Sequence, residues 1–197
     1  MNWFKEIELQ GNQISLLPLK KEHREALLEA AGDGQLWELW YTSVPSEATI
    51  DQYINTALEE QSNGLSLPFV IVQNETKKII GSTRFCNAEP KHKRLEIGYT
   101  WYAKSVHRTG VNTEAKYLLL RHAFETLNTI AVEFRTNSHN RASRRAISRL
   151  GAKQDGLLRN HRIDHNGLKR DTVVFSILEN EWNTVKYALE FEMNRKR

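Results

Sequence analysis

Cysteine is nearly absent from this chain, which has one thiol, Cys86, in 197 residues. A lone cysteine excludes an intramolecular disulfide framework and suits a reducing compartment, so we expect a cytoplasmic protein. Long apolar runs are also absent, because every stretch falls far short of the roughly 20 residues that a membrane-spanning helix needs. The N-terminus has no basic block followed by an apolar block, as a secretory signal would. We therefore expect no membrane partner.

Metal-binding and nucleotide-binding fingerprints are missing as well. His161 and His165 are four residues apart, but the adjacent Asn166-Gly167 is typical of a turn, so we expect no metal. The sequence contains neither Gly-x-Gly-x-x-Gly nor Gly-Lys-Ser/Thr, the glycine-rich patterns of many dinucleotide and nucleoside triphosphate sites. Any phosphate site in this chain must therefore use another local structure.

Basic residues give the chain a formal net charge of +4. Part of the excess lies in the tail at 195–197, and the rest is concentrated in one stretch: Arg141, Arg144, Arg145, Arg149, Lys153 and Arg159. Such a patch attracts phosphate without distinguishing nucleic acid from an anionic cofactor. A basic nucleic-acid-binding module is therefore an alternative. No Lys/Arg-rich tract interleaved with aromatics supports it, and we expect no nucleic-acid partner.

Periodicity and turn residues predict a single domain over residues 1–197, long enough for one core. The expected elements are a hairpin about Gly11-Asn12, a helix at 20–31, broken helices at 35–61, strands at 67–73, 78–87 and 95–102, a helix at 113–127, a strand at 130–136, a helix at 141–150, a hairpin of 159–163 with 171–177, and an amphipathic helix at about 180–193. This order indicates an α/β (α+β) domain around one mixed sheet. The aromatic residues of the second helical region are more typical of core than of a pocket wall: Trp37, Trp40, Tyr41 and Tyr53.

One segment, residues 107–114, combines features of an anion site where the third strand of the meander leads into a helix. A helix start offers unpaired N–H groups and a partial positive charge. Gly110 permits positive φ and close approach of an anion, and Arg108 adds a full charge. Asn112 or Thr113 can cap the helix. A capped helix after a glycine turn explains the segment equally well on these grounds alone.

The pattern His107-x-x-Gly110-x-Asn112 resembles the pyrophosphate loop of the GNAT superfamily of N-acetyltransferases, Gln/Arg-x-x-Gly-x-Gly/Ala, and departs from it at His107 and Asn112. Further stretches resemble the branch that includes the ribosomal-protein N-terminal acetyltransferases, in the family's order over about residues 14–178: Leu16-Leu17-Pro18-Leu19, Ile80-Gly81-Ser82-Thr83-Arg84-Phe85, Glu96-Ile97-Gly98-Tyr99, Asn140-Arg141-Ala142-Ser143, and Arg149-Leu150-Gly151-Ala152 with Gly156 and Leu158-Arg159. The resemblance implies the GNAT fold, a mixed, mostly antiparallel sheet of about six or seven strands with helices on both faces.

The resemblance also implies acetyl-CoA as co-substrate. Its pantetheine arm would lie along the backbones of Thr100, Trp101 and Tyr102. Its pyrophosphate would lie on the segment His107, Arg108, Thr109, Gly110, Val111, Asn112 and Thr113. Asn140 is a natural N-cap, and in the family an asparagine at this position also contacts CoA. In this family the amine attacks the thioester directly, so Cys86 need not be a nucleophile, and a small buried strand residue is the favoured interpretation.

Two residues are candidates for acid and base chemistry. Glu96 stands eleven residues before His107, a spacing at which several family members carry their base glutamate. Strand alternation places Glu96 on one face with Thr100 and puts Trp101 on the opposite face. Its alternative role is an ordinary polar strand residue. Ser143 resembles the family's proton donor to the leaving thiolate, and its spacing to Ile147 and Leu150 puts it on the inward face of its helix. It could equally be a first-turn serine bonded to backbone.

The acceptor is open from sequence. A primary amine on a protein N-terminus or a small molecule fits the family, and five scattered acids could recruit a cation: Glu38, Glu47, Asp51, Glu89 and Asp171. A GNAT-fold acetyl-CoA sensor without turnover is the alternative function. A homodimer is also open, since Trp182, Tyr187 and Phe191 could form a partner surface.

Overall fold

The computed structural model describes residues 3–164 and 167–195. Its strands are β1 (Leu9–Gln10), β2 (Ile14–Pro18), β3 (Leu67–Gln73), β4 (Ile79–Glu89), β5 (Arg94–Tyr102), β6 (Ala131–Asn137), β7 (Lys153–Ile163) and β8 (Lys169–Leu178). They form one eight-stranded sheet in the spatial order β1-β2-β3-β4-β5-β6-β8-β7. Neighbours are antiparallel except β5 and β6, which run parallel. The expected mixed, mostly antiparallel sheet is confirmed, with eight strands in place of about six or seven.

Helices cover both faces of this sheet. Those within the described ranges are α1 (Arg24–Gly32), α2 (Ile50–Ser62), α3 (Val111–Arg121), α4 (Arg141–Arg149) and α5 (Trp182–Asn194). On one face, Leu27 of α1 packs with Val70 of β3. On the other face, α3, α4 and α5 contribute Leu118, Ile147 and Leu189 to the larger core. Across residues 3–164 and 167–195, each helix is too short or too polar to cross a bilayer.

The parallel strands β5 and β6 separate soon after they begin. Their register joins Arg94 to Ala131, Leu95 to Val132 and Glu96 to Glu133, and no later pair follows in the described chain. Both strands nevertheless continue, β5 to residue 102 and β6 to residue 137. Their carboxyl halves therefore diverge into a V-shaped groove with Glu96 at its apex. The β5 edge facing this groove has backbone groups without a ladder partner.

A bulge at Tyr99 reverses the faces presented by the end of β5. Tyr99 has a φ of +51°, and the register with β4 shifts at this point. The extra residue of a bulge inverts the side-chain alternation beyond it. Trp101 consequently packs in the cluster under α1 and α2, whereas the Thr100 hydroxyl contacts Lys116 of α3. The predicted alternation, with Thr100 on the face of Glu96 and Trp101 opposite, is wrong.

The region at 35–61 is less helical than predicted. It contains a short 3-10 turn at Leu36–Glu38, an irregular stretch at 39–49 and then α2. Trp37, in the 3-10 turn, and Trp40, in the irregular stretch, are 37% and 42% exposed, so the core interpretation is wrong for both. Tyr53, on α2, does pack against the core.

Predictions near the C-terminus meet mixed outcomes. β7 begins at Lys153, well before the predicted start at 159. The prediction missed its first half because that half is an exposed edge without alternating apolar residues. The predicted turn at Asn166 lies outside the described residues, as does His165. Trp182 is 5% exposed and stacks on Phe124, so it belongs to the core and not to a partner surface.

Candidate active site

Two helices begin beside the open end of the groove. α3 follows β5 through the loop at 103–110, and α4 follows β6 through the loop at 138–140. Because β5 and β6 are parallel neighbours, their carboxyl ends lie at the same edge of the sheet, and both helix starts flank the groove. Helix starts offer N–H groups and a partial positive charge to anions.

The loop before α3 is a compact turn built on two residues with positive φ. Arg108 has a φ of +66° and Gly110 a φ of +102°. The Thr109 hydroxyl donates to the carbonyl of Val106 at 2.7 Å and closes the turn. At Gly110 a Cβ atom would strain the backbone, although only Gln13 lies within contact distance of that position. The loop thus brings an open, glycine-lined backbone to the groove.

No side chain caps the start of α3. Gly110 is the N-cap residue, and α3 begins at Val111. Asn112 and Thr113 lie within the first turn, so the prediction that one of them caps the helix is wrong. The first-turn N–H groups of α3 remain open to an anion, which fits a pyrophosphate better than a capped helix would.

Neighbouring elements hold this loop in place. The Nε2 atom of His107 lies 3.0 Å from the carbonyl of Tyr102, which ties the loop to the end of β5. From α1, the carboxylate of Asp33 accepts a bond from the backbone N–H of Ser105 at 3.0 Å. The hydrogen bonds from Ser105 hold the pKa of Asp33 below its usual range. Sequence reasoning missed Asp33, because nothing local connects it to the loop.

Glu114 joins the start of α3 to the first hairpin. Its side chain is 4% exposed. Its carboxylate accepts bonds from the backbone N–H groups of Asn12, at 2.5 Å, and Gln13, at 3.1 Å. A buried carboxylate bonded to two backbone donors has its charge compensated. This anchor was also missed, since a glutamate in a helix is typically solvated.

Glu96 is buried at the groove apex, with 8% exposure. Its Oε2 atom accepts a bond from the Asn87 amide at 2.8 Å, and Arg135 lies 3.6 Å away. Burial raises the pKa of Glu96, while the Asn87 bond and the Arg135 charge oppose the rise. A carboxyl group with a raised pKa is a better match for proton transfer near neutral pH.

Cys86 lies beside Glu96 on the adjacent strand β4. The side chain is buried, and burial raises the pKa of its thiol well above the usual range. A thiol that stays protonated is a poor nucleophile. The expectation that Cys86 is a buried strand residue is confirmed.

The far wall of the groove is the start of α4. Asn140 caps this helix, as predicted, because its Oδ1 accepts a bond from the backbone N–H of Ser143 at 3.0 Å. Ser143 is half-buried, and its hydroxyl has no hydrogen-bond partner among the described residues. The predicted outward stripe is exposed as expected: Arg141, Arg145 and Arg149.

The irregular segment after α1 reaches across to the same wall. Trp40 packs against His139, with ring centroids 5.4 Å apart, and His139 immediately precedes Asn140. The segment at 39–49 therefore contacts the β6 side of the groove. This contact gives the exposed Trp40 a place near the site, which the aromatic pattern alone did not indicate.

The five scattered acids do not form one cluster, and Glu38 is exposed in the 3-10 turn. Glu47 and Asp51 both bond Arg24, at 2.7 and 3.0 Å. Asp171 accepts a bond from the backbone N–H of Asn160 in the β7–β8 hairpin. Glu89 instead lines an open cavity of about 1330 Å³ together with Glu133 and Arg135 of β6 and Trp182 of α5, and no residue of the loop at 107–113 lines this cavity.

No cluster of three or more histidine, cysteine, aspartate or glutamate side chains suited to a metal occurs among the described residues.

Comparison with known proteins agrees with this architecture. The family model described as "Acetyltransferase (GNAT) domain" matches residues 13–153. A crystal structure of a protein provisionally described as an acetyltransferase superposes with a TM-score of 0.85 at 33% identity, covering 98% of this chain and 96% of that one.

Two curated relatives come from Bacillus. The uncharacterized N-acetyltransferase p20 of Bacillus licheniformis is 26% identical over 179 residues, covering 88% of this chain and 97% of the relative. YdaF of Bacillus subtilis, provisionally named a ribosomal N-acetyltransferase, is 32% identical over 108 residues, covering 55% of this chain and 58% of the relative.

The chain belongs to the GNAT acetyltransferase family. The fold, the groove between β5 and β6 and the family match together define it as an acyltransferase of the N-acetyltransferase class.

Proposed function

We propose that the protein transfers the acetyl group of acetyl-CoA to a primary amine by direct attack within a ternary complex. The observation that carries this proposal is the groove, which combines an unpaired β5 edge, an uncapped helix start and a buried carboxylate at its apex. The backbone groups at 100–102 that point away from β4 would bond the pantetheine arm as an added strand does: those of Thr100, Trp101 and Tyr102, apart from the Tyr102 carbonyl that His107 contacts. The loop at 107–113, with Asn140 opposite, would hold the phosphates.

In the proposed reaction the amine nitrogen forms a bond to the thioester carbonyl carbon, and the carbon–sulfur bond then breaks. Glu96 accepts the amine proton, directly or through water. The departing thiolate takes a proton from Ser143 or from solvent, and the Ser143 hydroxyl has no bond within the described chain that would oppose this. General acid–base catalysis of this kind contributes about 10²–10⁴-fold.

The acceptor class is the finer part of the proposal. The likeness to YdaF, whose name describes a ribosomal N-acetyltransferase, favours an amine on a protein over a small molecule. A protein N-terminus is the amine that we test first. The alternative is a sensor that binds acetyl-CoA without turnover. A cytoplasmic location and a second copy of the chain as partner stay predictions.

The test is thiol release from acetyl-CoA across a panel of peptides and small amines. Glu96→Gln should lower turnover by about 10²-fold or more and leave the affinity for acetyl-CoA within a few-fold, because the amide keeps the shape but cannot accept the proton. Glu192→Gln is the control and should leave turnover unchanged, since Glu192 is an exposed carboxylate on α5. An unchanged rate in Glu96→Gln would remove Glu96 as base. Acetyl-CoA binding without turnover on any amine would support the sensor.

A further inference from the structure

Lys116 is a buried lysine that the proposed reaction does not use. It lies on α3 and is 5% exposed. Its ammonium group donates to the Thr100 hydroxyl at 2.5 Å. No carboxylate lies within ion-pair distance of it in residues 3–164 and 167–195. Its only polar partner there is a neutral hydroxyl.

Two other buried charged groups within the described residues are compensated. Glu114 receives two backbone N–H bonds, and Arg84 pairs with Glu60 at 3.2 Å. Lys116 has no such partner, and burial lowers its pKa to about 7. Isolated buried charges are costly to a fold. A lysine in this position is therefore poorly explained as a stabilising element.

The contact of Lys116 falls on the residue that follows the bulge in β5. The bulge at Tyr99 turns Thr100 away from the face of Glu96 and toward α3. The Thr100 hydroxyl also lies 2.8 Å from the Thr83 hydroxyl on β4. Lys116 thereby joins α3, β4 and the bulged part of β5 at one point. That point lies in the part of β5 that no longer pairs with β6, just before the loop at 103–110.

We propose that Lys116 is a positioning residue which, through the Thr100 hydroxyl, holds the bulged edge of β5 in the geometry that receives the thioester arm of acetyl-CoA. The inference rests on the proposed function, because it concerns the same groove. Bulges beside active sites re-aim backbone groups, and a hydrogen bond from a second element fixes such a conformation. The pyrophosphate end of the site, on the loop at 107–113, does not depend on this contact.

The experiment is calorimetric titration with two probes, acetyl-CoA and the 3′-phosphorylated ADP fragment of CoA, which carries the pyrophosphate without the arm. Lys116→Met should raise the Kd for acetyl-CoA about tenfold and leave the Kd for the fragment within about twofold. Thr100→Val should weaken acetyl-CoA similarly, and the double variant should be no weaker than either single variant, since both remove one contact. Lys186→Met is the control. It removes an α5 lysine that bonds to Glu125, and it should change neither Kd.

Equal weakening of both probes would indicate a general defect of α3 and overturn the inference. An unchanged acetyl-CoA Kd in Lys116→Met would overturn it as well, and would leave the proposed function standing. Absence of acetyl-CoA binding by the unaltered protein would instead contradict the proposed function itself.

Discussion

Replacing Lys116 by methionine should stabilise the protein, and the gain should depend on pH. Lys116 is 5% exposed, and burial lowers its pKa from the usual 10.5 to about 7. The unfolded chain keeps the ordinary value, so between these pH values it binds a proton that the folded protein has released. The free energy of unfolding therefore rises with pH between about 7 and the usual 10.5. The full cost of burying the charged Lys116 is present below about pH 7.

The magnitude follows from the size of the pKa difference. Each tenfold step in proton affinity corresponds to about 1.4 kcal/mol, so the cost below pH 7 is on the order of 5 kcal/mol at most. Methionine fills nearly the same volume and carries no charge, and such replacements are often neutral or stabilising. Lys116→Met should therefore be more stable than the unaltered protein at pH 6 by a few kcal/mol.

Urea unfolding of both proteins at several pH values provides the measurement. The stability difference between them should shrink by about 2 to 3 kcal/mol from pH 7 to pH 9, as the folded lysine of the unaltered protein loses its proton. Lys186→Met is again the control, because Lys186 is bonded to Glu125 and its pKa is raised. A difference that stays constant with pH, or a destabilised Lys116→Met, would refute the reasoning.

Three further substitutions test the packing around the site. Glu114→Ala should lower the free energy of unfolding by about 2 kcal/mol, because the backbone N–H groups of Asn12 and Gln13 lose their charged acceptor; an unchanged urea midpoint would contradict this. Gly81→Ala should cost about 3 kcal/mol or more, since an added Cβ would lie 2.2 Å from the Trp101 carbonyl oxygen, and a thermal melt at the unaltered temperature would be the opposing result. Asn140→Ala should cost about 1 kcal/mol by loss of the α4 cap, which Asn140→Ser should largely restore.

Much of the fold was predictable from local pattern. The continuous apolar run of β3, the Ile79-Ile80 start of β4, the turn about Gly11 and the cap at Asn140 each follow from short-range chemistry that the sequence displays directly. The anion site at 107–113 is predicted from the same short-range chemistry, and it stays a prediction. Its interpretation as an acetyl-CoA site came from resemblance to a family and not from the physics of the loop.

The parts that escaped prediction depend on long-range contacts. The sequence gives no sign of the positive φ at Tyr99, because glycine is the residue that usually adopts this left-handed conformation. The alternation of β5 therefore predicted the wrong face for Thr100, and with it the contact to Lys116. The exposure of Trp37 and Trp40 was missed for a similar reason. Large aromatic residues are usually buried, and the local sequence does not show that these two lie on an exposed segment.

The most direct test of the central claim is calorimetric titration of acetyl-CoA into the unaltered protein and into Gly110→Val. The account predicts binding at one site by the unaltered protein. It predicts binding at least about tenfold weaker in the variant, because a β-branched side chain cannot adopt a φ of +102° without strain and would crowd the anion's approach. No binding by the unaltered protein, or equal binding by a folded variant, would contradict the claim that this loop holds acetyl-CoA.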